Sequence, residues 1–167
     1  KINPAAGIKP QYTSSGKRET WLKTPEELHA AWYFNGKLQV RGLIRWLLLT
    51  GARRDEARLA RWDDIQDSVW TVGRTKNGDP LKLPITPAMQ QVLDELKATF
   101  PDSEYLFPSA TSVKKPIPRG SFDYLLRSHA TFSAHQLRHT AKSWMAEAGV
   151  TLEMRAAIQN HRLPGMD

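Results

Sequence analysis

Residues 50–65 read TGARRDEARLARWDDI, and the reading of this stretch organises the rest of the chain. Gly51 marks the stop of a helix that ends at Thr50, because glycine readily takes the left-handed conformation that closes helices. Asp55 is placed to cap a short following helix, with Ala57, Leu59 and Ala60 as its inward face. Arg53 and Arg54 then fall in the turn between two helices. A turn facing a helix N-terminus is a natural anion site, since unpaired backbone N–H groups point the same way.

Upstream, Arg41–Thr50 is strongly apolar and reads as a helix. Thr24-Pro25-Glu26-Glu27 opens an earlier one: Thr24 can cap it, Glu27 can return the bond, and Pro25 takes the first helical position. Residues 1–20 hold two prolines, two glycines and two adjacent serines without sustained periodicity, as expected of a linker. Downstream the period changes. Val69–Val72 and Leu81–Ile85 are strand-like, Asn77-Gly78 between them signals a hairpin, and Pro84 puts the second strand at an edge. Thr86-Pro87 begins a helix to about Ala98 with Met89, Val92, Leu93 and Leu96 on one face. Residues 100–115 read as a loop region. Further helices are expected over Ser121–Ser128, Ala134–Ala148 (closed by Gly149) and Thr151–Asn160. The fold class is α+β, mainly helical, with one small antiparallel sheet.

The chain has 167 residues, 40% hydrophobic and 25% charged, which fits a single globular domain. Its longest unbroken apolar run near the middle, Trp46–Leu49, is far too short to span a membrane. The absence of cysteine excludes disulfide frameworks, thiolate metal sites and cysteine nucleophiles. A reducing cytosolic setting agrees with that composition, and a first residue of Lys1 rather than Met is what an excised fragment would show. The net charge of +7 is segregated. Residues 1–24, 41–62 and 113–167 carry +4 each, whereas 25–40, 63–84 and 85–112 are net acidic. A basic domain with its charge in blocks commonly meets a polyanion, and nucleic acid is the first expectation. No P-loop, dinucleotide fingerprint or Gly-x-Ser-x-Gly elbow is present.

The densest chemistry lies at His135-Gln136-Leu137-Arg138-His139. On a helix His135 and Arg138 share a face, so a guanidinium and an imidazole can address one phosphate together. A bare His-x-x-Arg pair is more often a solvated helix face. His135 and His139 also have the spacing of a helical metal pair, but without the glutamate of the zinc-protease motif or any thiolate. Lys76, just before Asn77-Gly78, sits at the hairpin tip, where a lysine commonly serves solubility but could also swing over a ligand.

Together these motifs resemble the tyrosine recombinase family, in particular phage and genomic-island integrases. TGARRDEARLARWDDI is similar to that family's first arginine box, RTKNGDPLKLPIT (residues 74–86) to its catalytic-lysine hairpin, HQLRHTAKSWMAEAG (135–149) to its His-x-x-Arg box, and IQNH (158–161) to the box supplying a second histidine. The resemblance runs over about residues 24–167. It implies the helical fold of the DNA breaking-rejoining enzymes and a catalytic domain over 21–167, with 1–20 the linker from an upstream DNA-binding domain. It further implies that Arg53, Lys76, His135, Arg138 and His161 are catalytic, that Glu56 supports the site, and that His139 is structural. Arg54 falls on a variable position. Asn160 departs from the glycine usual before the last histidine.

In the family a tyrosine about nine residues beyond that histidine attacks a DNA phosphodiester, giving a 3′-phosphotyrosine. Tyr12, Tyr33, Tyr105 and Tyr124 match no such position, so the nucleophile is expected outside these 167 residues. The implied activity is site-specific DNA integration without metal, ATP or other cofactor. The implied partners are double-stranded attachment-site DNA, a homotetramer on paired sites, and accessory DNA-bending proteins. The implied setting is the cytoplasm of a bacterium, at the nucleoid. The competing readings are a type IB topoisomerase-like enzyme and a non-catalytic DNA-binding module.

Overall fold

The computed structural model describes residues 21–72 and 80–160. Seven α-helices occur among them: α1 (Pro25–Trp32), α2 (Leu38–Thr50), α3 (Arg54–Arg58), α4 (Pro87–Thr99), α5 (Arg119–His129), α6 (Ala134–Glu147) and α7 (Leu152–Ile158). An antiparallel sheet of β1 (Ile65–Gln66), β2 (Val69–Val72) and β3 (Leu81–Pro84) follows α3 in the order β1-β2-β3, and β4 (Pro108–Ser109) with β5 (Ser112–Pro116) forms a separate ribbon. The architecture is the expected α+β one. No helix among the described residues is long and apolar enough to cross a membrane.

The central element is α2, packed against α1, α3, α4 and α6. Leu43, Ile44, Trp46 and Leu47 on it are fully buried. Gly42 permits the close approach of α4, because a Cβ there would stand only 3.2 Å from Leu96 Cδ2. Trp46 meets Trp70 of β2 edge-on at 5.2 Å and Phe107 at 6.1 Å, joining helix, sheet and ribbon in one aromatic core. Most helix starts obey their caps. Thr24 and Glu27 form the expected reciprocal pair, Thr86 accepts from Met89 N–H, and Thr151 from Met154 N–H.

Three local expectations are corrected. The α2 helix begins at Leu38, earlier than Arg41, because its start rests on Lys37 with no side-chain cap to announce it. Residues 100–115 are not a loop throughout. They include β4 and most of β5, and the fully buried Leu106 and Phe107, tied in by an Arg61–Tyr105 bridge and by Ile117 N–H donating to the Phe107 carbonyl at 2.9 Å. Strands this short carry no readable alternation. Leu59 is 38% exposed rather than inward, whereas Ala57 and Ala60 are buried as expected.

The chain enters the fold at Trp21-Leu22. Leu22 N–H donates to Thr140 Oγ1 at 2.9 Å, and Trp144 Nε1 donates to the Leu22 carbonyl at 3.0 Å. That segment is thereby fastened to α6, the helix that carries the His-x-x-Arg box.

Candidate active site

The site is assembled around the end of α2. Gly51 closes that helix at φ 60°, its N–H bonded to the Leu47 carbonyl at 2.9 Å. Thr50 Oγ1 donates to the Trp46 carbonyl at 2.7 Å and accepts from Ala52 N–H at 3.2 Å, so the turn out of the helix is fixed from inside. Its exit places Arg53 immediately before α3. Here the expected capping role of Asp55 is corrected. Glu56, one turn into α3, accepts from the Arg53 backbone N–H at 2.8 Å and from Arg53 Nη1 at 2.8 Å. One carboxylate grips both ends of Arg53. The Glu56 side chain is only 5% exposed, while that of Arg53 remains 26% exposed. Glu56 thus fixes the direction of the Arg53 side chain.

Arg54 points elsewhere. Its Nη1 lies 2.6 and 2.8 Å from the two carboxylate oxygens of Asp123 on α5. Asp55 accepts from Arg58 Nε at 2.9 Å, and Arg58 Nη1 donates to the Ile117 carbonyl at 2.9 Å. The second arginine of the turn and its neighbours therefore pin α3 to the β5–α5 junction.

Arg138, from the far end of the sequence, arrives at the same turn. Its Nη1 donates to the Gly51 carbonyl at 2.5 Å and its Nη2 to the Gln159 carbonyl at 2.9 Å. Its proton affinity is pushed down to about 10, chiefly by burial and then by the nearby Arg53 charge, with Glu56 acting in the opposite direction. Two cations are thus held close enough to feel each other, at a partly covered place. That is a costly arrangement for a protein alone and a favourable one once an anion binds.

Gln159 is the residue that sequence reasoning passed over. It is 2% exposed, accepts Arg138 through its backbone, and packs so closely on Gly51 that a Cβ there would lie 2.9 Å from Gln159 Nε2. Nothing in its immediate neighbourhood in the sequence signals this, because its partners lie 21 residues or more away.

His135 is exposed at the start of α6, which Ser133 and Gln136 cap reciprocally. Its Nε2 stands 2.8 Å from Nε2 of His139, with the rings edge to face. Among the described residues no group of three His, Asp or Glu side chains is arranged to hold a metal ion. Lys76 and His161 lie outside the described residues. Of the expected site residues, the fold gathers Arg53, Glu56 and Arg138 at one turn, with His135 one helical turn from Arg138 on α6.

A model of the phage integrase family matches residues 23–166, and the chain belongs to that family. The prophage integrase IntA of Escherichia coli (strain K12) is 26% identical over 144 residues, covering 82% of this chain and 35% of IntA. The integrase of Enterobacteria phage P4 is 25% identical over 147 residues, covering 75% of this chain and 34% of the relative. The chain thus spans about a third of the length of these relatives. Among solved structures, a lambda integrase dimer bound to a COC′ core site superposes with a TM-score of 0.76 at 19% identity, over 99% of this chain and 65% of that one. That likeness establishes the fold.

Proposed function

We propose that the chain is the catalytic domain of a site-specific DNA recombinase that integrates a mobile element by transesterification. The observation that carries this reading is the convergence of Arg53 and Arg138, 85 positions apart in the sequence, on the Gly51 turn. Two preorganised guanidinium groups suit a phosphoryl group whose charge grows in the transition state. The substrate is the backbone of double-stranded attachment-site DNA. A tyrosine outside these 167 residues attacks the phosphorus, and the 5′-oxygen leaves. The new phosphotyrosine bond conserves the energy for religation, so no external energy source enters. His135 takes the tyrosine's proton, His161 donates to a non-bridging oxygen, and Lys76 protonates the departing oxygen. The working assembly is a tetramer on paired sites in a bacterial cytoplasm, with DNA-bending proteins as accessory partners.

The test uses the full-length protein and nicked duplexes spanning the junctions of the element that encodes it. The expected result is a denaturation-resistant protein–DNA adduct that Arg53→Ala abolishes. The 167-residue chain alone is expected to bind duplex DNA with an affinity that falls steeply with salt, and to form no adduct. An adduct formed by this chain alone would sink the assignment of the nucleophile.

A further inference from the structure

The contact between His135 and His139 has a chemical consequence. Both rings project from α6 one turn apart, their centroids are 4.4 Å apart with an interplanar angle of 82°, and the Nε2 atoms are 2.8 Å apart. The helix beneath them is firmly set: Ser133 N–H donates to Gln136 Oε1 at 2.8 Å, and Leu137, Thr140 and Ala141 are buried on the inner face. A neutral imidazole carries one N–H and one lone pair. At 2.8 Å one ring must donate and the other accept, so the two rings hold opposite tautomers.

The choice between the two arrangements follows from what His135 has to do. If His139 donated, His135 would spend its only lone pair on the contact and present an N–H outward. If His135 donates from Nε2, its Nδ1 lone pair is left available as a base. The exposure agrees with this order: His135 is exposed, while His139 behind it is partly covered.

We propose that His139 is the positioning residue of His135, accepting its Nε2–H and so fixing the tautomer that leaves Nδ1 as the base. This rests on the reading of His135 as the acceptor of the nucleophile's proton. In the cleavage step the tyrosine O–H proton passes to His135 Nδ1, the oxygen–phosphorus bond forms, and the bond to the 5′-oxygen breaks. The imidazolium so formed keeps its Nε2–H on His139, which stabilises the new charge. This is the logic of a base oriented by a third group, here supplied by a second imidazole.

Single-turnover cleavage of nicked attachment-site DNA by the full-length protein tests the proposal, with DNA affinity measured alongside. His139→Phe keeps an aromatic ring and removes the acceptor. It should slow cleavage roughly 10- to 100-fold, the size seen when the partner behind a metal-bound histidine is removed, with DNA affinity changed less than about threefold. His139→Gln restores an acceptor oxygen and should stay within about fivefold of the parent rate. In a His135→Ala background, His139→Phe should cost nothing further. Should His139→Phe fail to keep its helical circular dichroism, His139→Ala carries the same comparisons. An unchanged rate for the ring variant, or an equal loss in both backgrounds, overturns the positioning role. If His135→Ala itself cleaves at the parent rate, the base assignment falls and takes the proposal with it.

Discussion

Arg53 and Arg138 meet at one turn but are held in opposite ways. Arg53 is gripped by its own helix: Glu56, three residues on, binds both its backbone N–H and its guanidinium. Arg138 rests on two carbonyls, Gly51 and Gln159, that are 87 and 21 residues away. The first arginine needs little more than α3 to be in place. The second needs α2, α6 and α7 to have packed. A site built from one local and one remote cation is complete only when the whole domain is folded.

The largest effects should come from removing either cation. Arg53→Ala or Arg138→Ala in the full-length protein is expected to reduce cleavage about 100- to 1000-fold, while duplex binding is largely kept. The contrast sharpens with lysine. Arg138→Lys cannot span two carbonyls from one planar fork, so it should be nearly as damaging as alanine. A near-normal rate for that variant would show that the remote anchoring is dispensable. The environment of Arg138 also has a pH signature. Its folded proton affinity of about 10 lies below the ordinary arginine value, with burial the main cause and the Arg53 charge second. Between those values the folded chain binds fewer protons than the unfolded one. Arg138 therefore contributes stability that rises with pH across that window, while the cation itself is lost. Guanidinium nitrogen resonances followed from pH 8 upward should show Arg138 titrating below the ordinary arginine range.

Next in size is the local clamp. Glu56→Ala leaves Arg53 without its covered partner and frees the backbone N–H at the start of α3. A stability loss of about 1.5–3 kcal/mol is expected in urea unfolding of the chain. Cleavage should fall as well, because the guanidinium loses its fixed direction.

Gly51→Ala probes the meeting point of the two arginines. A Cβ at φ 60° is strained, and it would lie 2.9 Å from the Gln159 amide nitrogen. The backbone term alone is worth about 1–2 kcal/mol. Because Gly51 also supplies the acceptor for Arg138, this variant should lose cleavage beyond what its stability explains. A variant that is less stable but cleaves normally would separate the turn from the site.

What could be read in the sequence divides along the same line. The choice of Arg53 over Arg54 and the supporting role of Glu56 come only from the family resemblance, whereas Gly51 and the two arginines are contiguous, so turn chemistry reaches them directly. The same holds for α1, whose cap, proline and Glu27 are contiguous. Helix α4 was equally legible, because Met89, Val92, Leu93 and Leu96 repeat at the helical period and are all buried. Arg138 was singled out by its helix spacing to His135, but its anchors were not. Gly51 and Gln159 join it only in three dimensions. The β4–β5 ribbon was missed for a related reason. Two-residue β4 has no period, and Phe107 is held by Trp46, 61 residues earlier, rather than by its neighbours. The sequence places the cap of α3 on Asp55, two residues late, because Asp55 is the better capping type, while α3 in fact starts after Arg53 and the longer Glu56 reaches back to it.

The smallest effect should come from Arg54, which the sequence places beside Arg53 and the fold turns away from it. Its guanidinium is occupied by the Asp123 carboxylate, with side chains 20% and 31% exposed, and it lies 3.5 Å from Asp55. Its Nε is buried with no hydrogen-bond partner among the described residues, so part of the gain from the ion pair is offset by desolvation. The net contribution of such a pair is expected to be about 1 kcal/mol or less. Arg54→Ala should therefore shift the urea midpoint slightly and leave the cleavage rate within about threefold. Asp123→Ala should cost somewhat more stability, since it strands a mostly covered guanidinium instead of removing it. The pair reaches the chemistry only by holding α3 against α5. If Arg54→Ala proved as damaging to cleavage as Arg53→Ala at full folding, the two neighbours would have exchanged roles, and the division between a functional and a structural arginine in this turn would fail.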